Sequence, residues 1–407
     1  MRGAGDHLSI GERVAFYRAR RGLTQAVLAS LVGRSEDWLS KIERGEREIR
    51  RLDILGEVAS ALRVSLADLL GQPVLLEDDH EHDDIPAIRD ALMAPRRLSG
   101  VLFTDDPEAW PANIEHVSSL TEAAWDSYQH GRIGRTVVLL PELIRATQSL
   151  EADATNGGRG AALSARIHHL ATTTLTKIGE FDLTWISAER AMKAADRSDD
   201  PLVLASAARA GTHALLAIGR YDAAIELGLN ARSWLTPRLR RNDPAALSLL
   251  GMLNLRMATA ASRRHDRATT TELLAEADAA AQQLGADANY WNTSFGPTNV
   301  MLHRLTAALD LGDIGYVTEH GPRVDSSVLP TVRQVAHAID LAKAHSYAAQ
   351  DDKAISALLA AEAKSPQLVR HNPGVREVVR DIHRRTPSTG GRGSEILALA
   401  ERCRAVQ

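Results

Sequence analysis

Ile178-Gly179-Glu180-Phe181-Asp182 returns forty residues later as Ile218-Gly219-Arg220-Tyr221-Asp222, each copy set between two Ala/Leu-rich stretches of helical spacing. A glycine between such stretches ends one helix and lets the next begin, so the recurring unit is a helix hairpin. A period near forty residues built on that unit dictates a stack in which each hairpin buries its face against its neighbours. Looser echoes at His265-Asp266-Arg267-Ala268, Leu311-Gly312-Asp313 and Gln350-Asp351-Asp352-Lys353-Ala354 extend the stack over residues 114–407. Aromatic residues make up only 4% of the chain, which suits helix-on-helix packing through small side chains and disfavours sheet.

The units resemble tetratricopeptide repeats. Thr184, Ala188 and Ala191 in one, and Ala224, Gly228 and Ala231 in the next, fall where that family needs close helix contact. A spacing above the family's usual length of roughly 34 residues implies longer helices or inserted loops. The resemblance further implies a concave surface lined by the first helix of each unit. With Gly179 and Gly219 as equivalent turns, its inward positions are Arg166, His169 and Thr173 in one unit, and Ser206, Arg209 and His213 in the next. Cations converging there suit an anionic ligand or a peptide carboxylate. The alternative is a set of surface residues on long helices that bind nothing. Later repeats lack a common register, and no inward positions are assigned in them.

Residues 23–45 carry a different signal. Thr24 suits the N-cap of a helix whose apolar side is Leu28, Leu31 and Val32, and small Ala29 lets another helix cross close by. Gly33 turns the chain at a position where a side chain is hard to fit. Ser35 then caps a helix with Glu36 and Asp37 in its first turn, where carboxylates suit the positive helix end. Leu39 and Ile42 supply the buried side, leaving Glu36, Asp37, Ser40, Lys41 and Arg44 outward. Two short helices joined in this way lay the second in the DNA major groove, and its outward face reads bases. Ile10, Val14 and Tyr17 place a preceding helix that ends at Gly22. Leu52, Leu55, Val58, Ala59 and Leu62 make a fourth, and Ser65 to Leu70 a short fifth, enough for one small core.

Gly22-Leu23-Thr24-Gln25, Leu28-Ala29, Gly33, Ser35 and Leu39-Ser40-Lys41-Ile42-Glu43-Arg44-Gly45 resemble the Cro/C1 (XRE) helix-turn-helix family nearly position by position over residues 8–71. The resemblance implies double-stranded DNA as partner. It gives Gln25 the role of holding a phosphate and bracing the helix interface, and puts Glu36, Asp37, Ser40 and Lys41 in the groove. Arg34, Ser35, Arg44 and Arg47 complete the DNA-facing set. Arg34 stands where the family has an apolar turn residue, and Trp38 where a small polar one is common. Two alternatives stay open: Glu36 and Asp37 act as helix-end charges or as acceptors for a cytosine amino group, and Glu43 and Arg44 pair with neighbours. Residues 1–76 hold 12 Arg plus Lys against 10 Asp plus Glu. Binding therefore rests on the placement of Arg18, Arg20, Arg21, Arg34, Lys41, Arg47, Arg50 and Arg51. One such domain makes few contacts, so a homodimer on a two-fold site is expected, paired by the rest of the chain.

Residues 72–113 read as a linker. Glu77-Asp78-Asp79-His80-Glu81-His82-Asp83-Asp84 puts six carboxylates in eight positions, a run that repels itself and stays extended, while Pro86, Pro95, Pro107 and Pro111 keep the remainder irregular. Its two histidines lack the surroundings that orient metal ligands, so no metal is assigned. A single cysteine, Cys403, excludes an intrachain disulfide and a cysteine-based zinc cluster. The N-terminus carries no apolar signal segment and no run of about 18 apolar residues spans a bilayer, which points to a cytoplasmic location without membrane contact.

Asn289-Tyr290-Trp291-Asn292-Thr293-Ser294-Phe295-Gly296-Pro297-Thr298-Asn299 breaks the helical pattern and gathers three aromatics with three amides before a helix bearing His303 and Arg304. Aromatic walls with a few hydrogen-bonding groups suit a small-molecule site, with a structural plug between repeats as the other reading. Tyr290, Trp291, Asn292, Asn299 and His303 thus join Arg166, His169, Thr173, Arg209 and His213 as candidate effector ligands. The whole chain resembles actinobacterial XRE regulators with a tetratricopeptide-like C-terminal region. Metalloprotease, nucleophile-elbow, P-loop and dinucleotide signatures are absent, so neither enzyme activity nor a cofactor is expected. The expected protein is all-α: a five-helix DNA-binding domain followed by an α-solenoid that pairs two copies and takes a small-molecule or peptide effector. The alternative is an interaction scaffold whose repeats bind a partner protein.

Overall fold

The structure is a computed structural model and describes residues 9–20, 23–47, 49, 52–62, 64, 69, 85–98, 113–240, 242–386 and 391–405. The chain divides into two units, Met1–Arg89 and Asp90–Gln407. No helix among the described residues is long and apolar enough to cross a membrane.

In the first unit, α1 (Ile10–Arg20), α2 (Gln25–Leu31), α3 (Glu36–Glu43) and α4 (Leu52–Leu62) enclose Val14, Tyr17, Leu28, Ala29, Val32, Leu39, Ile42, Leu55, Val58 and Leu62. Both caps form as the sequence suggests: Thr24 Oγ1 accepts from the Val27 amide and Ser35 Oγ from the Trp38 amide, each at 3.2 Å. Leu31 departs from expectation, being 61% exposed. The short α2 turns Leu28, Ala29 and Val32 inward, which leaves Leu31 on the far side beside exposed Val27. Gly33 departs in its reason: the space around it is open, and its φ of +61° is what demands glycine. Close approach is set instead by Gly11, where a Cβ would lie 1.8 Å from the Ile42 carbonyl oxygen, so α1 and α3 touch backbone to side-chain-free backbone. The expected fifth helix lies mostly outside the described residues, although Leu69 is helical and buried. The acidic run 77–84 lies wholly outside them. Residues 85–92, expected to be irregular, form α5 (Ile85–Leu92). Pro86 sits in the first turn, where its missing N–H costs nothing, and Ile85, Ile88 and Leu92 bury one stripe.

The second unit is a run of helix hairpins: α6 (Ile114–Gln129) with α7 (Ile133–Ala152), α8 (Gly157–Ile178) with α9 (Phe181–Asp196), α10 (Pro201–Ala217) with α11 (Tyr221–Leu235), α12 (Pro244–Arg263) with α13 (Arg267–Leu284), α14 (Pro297–Asp310) with α15 (Ile314–His320), and α16 (Thr331–Tyr347) with α17 (Asp351–Lys364). Three short helices follow: α18 (Pro366–Arg370), α19 (Pro373–Arg385) and α20 (Gly391–Arg402). Each hairpin turns on one left-handed residue, in order Gly131, Gly179, Gly219, His265, Gly312 and Ala349. The same bond closes every turn, from the amide after that residue to a carbonyl five residues back, as in Glu180 to Leu175 at 3.0 Å and Gln350 to His345 at 2.8 Å. Thr184, Ala188, Ala191, Ala224 and Gly228 are buried at helix contacts, as the repeat pattern requires.

The stack is not an open groove. The first helices of successive hairpins pack side by side, and α16 of the sixth returns to α6 of the first, closing the circuit. Ser365 Oγ donates to the Gly131 carbonyl at 2.7 Å, and the Gly134 amide donates to Gln367 Oε1 at 3.2 Å. Gly131 and Gly219 therefore predict different losses. Alanine at Gly219 meets open space, so only the left-handed backbone costs, about 1 kcal/mol. Alanine at Gly131 adds contacts of 3.0 Å with Ser365 and 3.2 Å with Thr331 at the closure. Thermal melts of the two variants should rank Gly131→Ala clearly below Gly219→Ala; equal losses would mean that the closure adds nothing.

Candidate functional site

The outward face of α3 is assembled from its buried one. Leu39 and Ile42 fix the helix on the core, and Glu43, at its last turn, ties three helices together. Arg18 of α1 donates to both Glu43 oxygens, at 2.6 and 2.8 Å, and Gln25 of α2 donates to Oε2 at 2.7 Å. The same Arg18 reaches the Leu23 carbonyl at 2.8 Å. Gln25 is thus spent on bracing α2 against α3, and Glu43 is a buried joint rather than a surface charge. Glu36, Asp37, Arg34, Ser35, Arg44 and Arg47 are exposed, with Ser40 and Lys41 half-buried beside them. Lys41 pairs with Asp37 at 2.7 Å and Arg44 with Glu46 at 3.3 Å, both accessible pairs that exchange readily for another anion. Arg34 lies 5.9 Å over the Trp38 ring, which accounts for both departures from the family pattern as one cation–π contact. Arg21, Arg50 and Arg51 lie outside the described residues.

In the repeats, most of the inward positions meet. His169 and Arg209 are buried and joined at 3.2 Å, and His169 also contacts Ser206 at 2.9 Å. Arg209 donates to the carbonyls of Trp291 and Asn292, each at 3.3 Å, and Arg166 lies 5.8 Å over the Trp291 ring. Asn299 accepts from Arg333 at 2.9 Å, and His303 sits 3.5 Å from Thr259. Thr173 spends its hydroxyl on the His169 carbonyl at 2.9 Å, and Tyr290 faces solvent. Neighbouring His168 points the other way, 3.4 Å from Thr147.

The segment 289–299 sits between repeats as a strained plug. Trp291, Asn292 and Ser294 all adopt positive φ, near +50°, a conformation costing about 1–3 kcal/mol per residue and sustained only by surrounding contacts. Asn289 and Gln129 exchange amide hydrogen bonds at 2.7 and 3.0 Å, fastening the plug to α6. Phe295 is fully buried with its ring pressed on Gly251, where a Cβ would lie 2.0 Å from it. The three aromatics form no common wall: Tyr290 is exposed, Trp291 covers Arg166 and Phe295 fills the core.

Sequence reasoning missed Lys177, Arg256, Arg333 and Tyr128, which face the same interior. Arg256 precedes its turn residue by nine positions and Arg209 by ten, but that turn is made by His265 instead of glycine, which hid the register. Burial, then mutual repulsion, lowers Arg256 to about 9 and Lys177 to about 7. Burial alone takes Arg209 to about 10. His169, His213 and His303 are pushed well below their usual range by burial first and by these cations second.

A pH dependence follows. An unfolded histidine gains its proton as pH falls through about 6.5 while these three stay neutral in the fold, so acidification favours unfolding. Melting temperature should fall from pH 7 to 5.5, and His303→Gln should flatten that slope. Lys177 acts at the other end: its folded-state penalty is full below about 7 and shrinks as pH rises toward 10.5, so stability should climb from pH 7 to 9 and Lys177→Met should remove the climb. Unchanged slopes in both variants would contradict these burials.

Residues 9–70 match the helix-turn-helix domain family. A stretch of 123 residues, 28% of this chain, is 28% identical to 82% of the immunity repressor protein of Bacillus phage phi105. Among solved structures, PlcR of Bacillus thuringiensis in complex with the peptide PapR7 and DNA aligns over 68% of this chain and 95% of its own, at 15% identity and a TM-score of 0.29. ComR from S. thermophilus with DNA and its signalling peptide ComS aligns over 88% and 99%, at 13% identity and a TM-score of 0.26. At those scores the superpositions establish no shared arrangement of the repeats.

Proposed function

From a helix-turn-helix domain joined in one chain to a closed ring of tetratricopeptide-like hairpins, we propose a sequence-specific DNA-binding transcription regulator, homodimeric on an operator of two half-sites, whose repeat unit takes a small-molecule or peptide effector. The observation that carries this is the Arg18–Glu43–Gln25 joint, which fixes α3 on the core with its polar face, held only by accessible surface pairs, turned outward. A helix is about 10–12 Å across with its side chains, which fits a major groove about 12 Å wide, and the eight residues of α3 give it roughly two turns to lay there. Ser40, Lys41 and Glu36 are the base readers in this account, while Arg34, Arg44 and Arg47 flank them toward phosphates. The likeness to a phage immunity repressor supports the reading. The effector shifts the population of arrangements in which two reading heads fit their half-sites.

Selection of bound duplexes from a random pool by the full chain tests this. The expected result is an enriched site with two inverted half-sites and a complex carrying two protein chains. An unenriched pool, with α1–α4 shown to be folded, would overturn it.

A further inference from the structure

Four cations converge inside the repeat ring without a matching set of anions. Lys177 of α8 and Arg256 of α12 have no hydrogen bond or ion pair among the described residues. Arg209 of α10 is buried, and it contacts only the His169 ring and two backbone carbonyls, leaving its Nε unpartnered. Arg333 of α16 reaches only the Asn299 amide oxygen. Arg256 feels the charge of Arg209 and Arg333, and Lys177 that of Arg256 and Arg333, so the four form one electrostatic group. Asp340 is the carboxylate that faces Lys177 and Arg333, and it already accepts from Thr306 at 2.7 Å.

The interior also holds unused hydrogen-bonding atoms. His213 Nδ1, His303 Nε2 and the Nε atoms of Arg209 and Arg256 are buried and unpartnered, although buried polar groups in folded proteins are nearly always satisfied. Lys177, Arg256 and Arg333 are half-buried, while Arg209, His213 and His303 are under a tenth exposed. Cations gathered in this way destabilise the empty fold, because all four lose hydration while Asp340 alone among the described carboxylates faces Lys177 and Arg333, and Arg209 and Arg256 face none. Such a cost persists where function requires it.

We propose that Lys177, Arg209, Arg256 and Arg333 bind a small organic anion carrying at least two negative charges, a polycarboxylate or a phosphate ester. One acidic group lies between the mutually repelling guanidinium groups of Arg209 and Arg256, and the other faces Arg333 and Lys177. His213 and His303 supply neutral hydrogen bonds. The closed ring and the plug against Arg209 favour a compact ligand over an extended chain. This inference rests on the repeat unit being the effector-binding half, and names the chemistry of that effector.

The test is thermal melting and calorimetry of the full chain without DNA at constant ionic strength, with citrate, glycerol 3-phosphate and acetate as probes. Citrate or glycerol 3-phosphate should raise the wild-type melting temperature by several degrees and acetate should not; whichever of the two acts identifies the acidic group. Arg256→Met should melt higher than wild type when empty and bind the active probe at least tenfold more weakly, and Lys177→Met should behave alike. Arg238→Met, on the outer surface, should bind as wild type does. No shift with either multivalent anion, equal binding by Arg256→Met, or a lower melting point of the empty variant would overturn the site. Because DNA is absent, that failure leaves the DNA-binding reading intact, and loss of DNA binding leaves this site untouched.

Discussion

Replacing Glu43 by alanine should unfold the N-terminal unit while the repeat ring keeps its structure. Glu43 is 5% exposed in its side chain and accepts three hydrogen bonds, two from Arg18 and one from Gln25. Removing it strands a half-buried guanidinium and an amide, and breaking a buried ion pair from one side costs about 3–5 kcal/mol. A domain of this size has roughly 3–5 kcal/mol in total. Glu43→Gln retains the shape and one acceptor, so it should lose about half as much. Amide hydrogen exchange of the full chain separates the units: protection over α1–α4 should vanish in Glu43→Ala and persist over α8–α16. Retained protection in α1–α3 would show that the joint is dispensable.

The second large effect is expected at Phe295. Its ring is the largest fully buried side chain among the described residues and packs on the bare backbone of Gly251. Phe295→Ala should cost about 3–5 kcal/mol in the repeat unit, the usual loss for emptying such a site. Release of the strained residues 291, 292 and 294 offsets part of that. Gly251→Ala alone should also destabilise, since its methyl would enter the ring. In the double variant the methyl has room, so the two losses should fall short of their sum by at least about 1 kcal/mol. Strict additivity would mean that Phe295 and Gly251 do not meet.

How far the sequence reaches depends on where each signal is written. Helix caps at Thr24 and Ser35 were legible because a side-chain oxygen answering an amide is a local event. Hairpins turning on Gly179, Gly219 and Gly312 were legible for the same reason. The first turn, at Gly131, was not aligned with the others, and the fourth showed only as a loose echo at His265, which takes a left-handed conformation without glycine, so no inward positions could be set on its first helix. Leu31 misled because a seven-residue helix has too few turns for periodicity to choose its buried face. Closure of the ring joins residues more than two hundred apart, as where Ser365, ahead of α18, bonds to Gly131 in the first hairpin turn, a contact without a local trace. Lys177, Arg256 and Arg333 became visible only once that closure placed them around one interior. Tyr290 was drawn in by composition, yet the αL residues after it turn its ring to solvent.

The claim on which the account turns is that α3 reads sequence. Equilibrium binding of the full chain to its selected duplex and to a scrambled one, measured from 50 to 200 mM salt, tests it with Ser40→Ala/Lys41→Ala alongside. The wild type should prefer the selected duplex by at least about a thousandfold and lose affinity for both steeply with salt. The double variant should keep its fold and salt dependence, losing one counterion's share of the slope, while its preference collapses toward unity. A double variant that discriminates as well as the wild type would place the reading surface elsewhere and contradict the account.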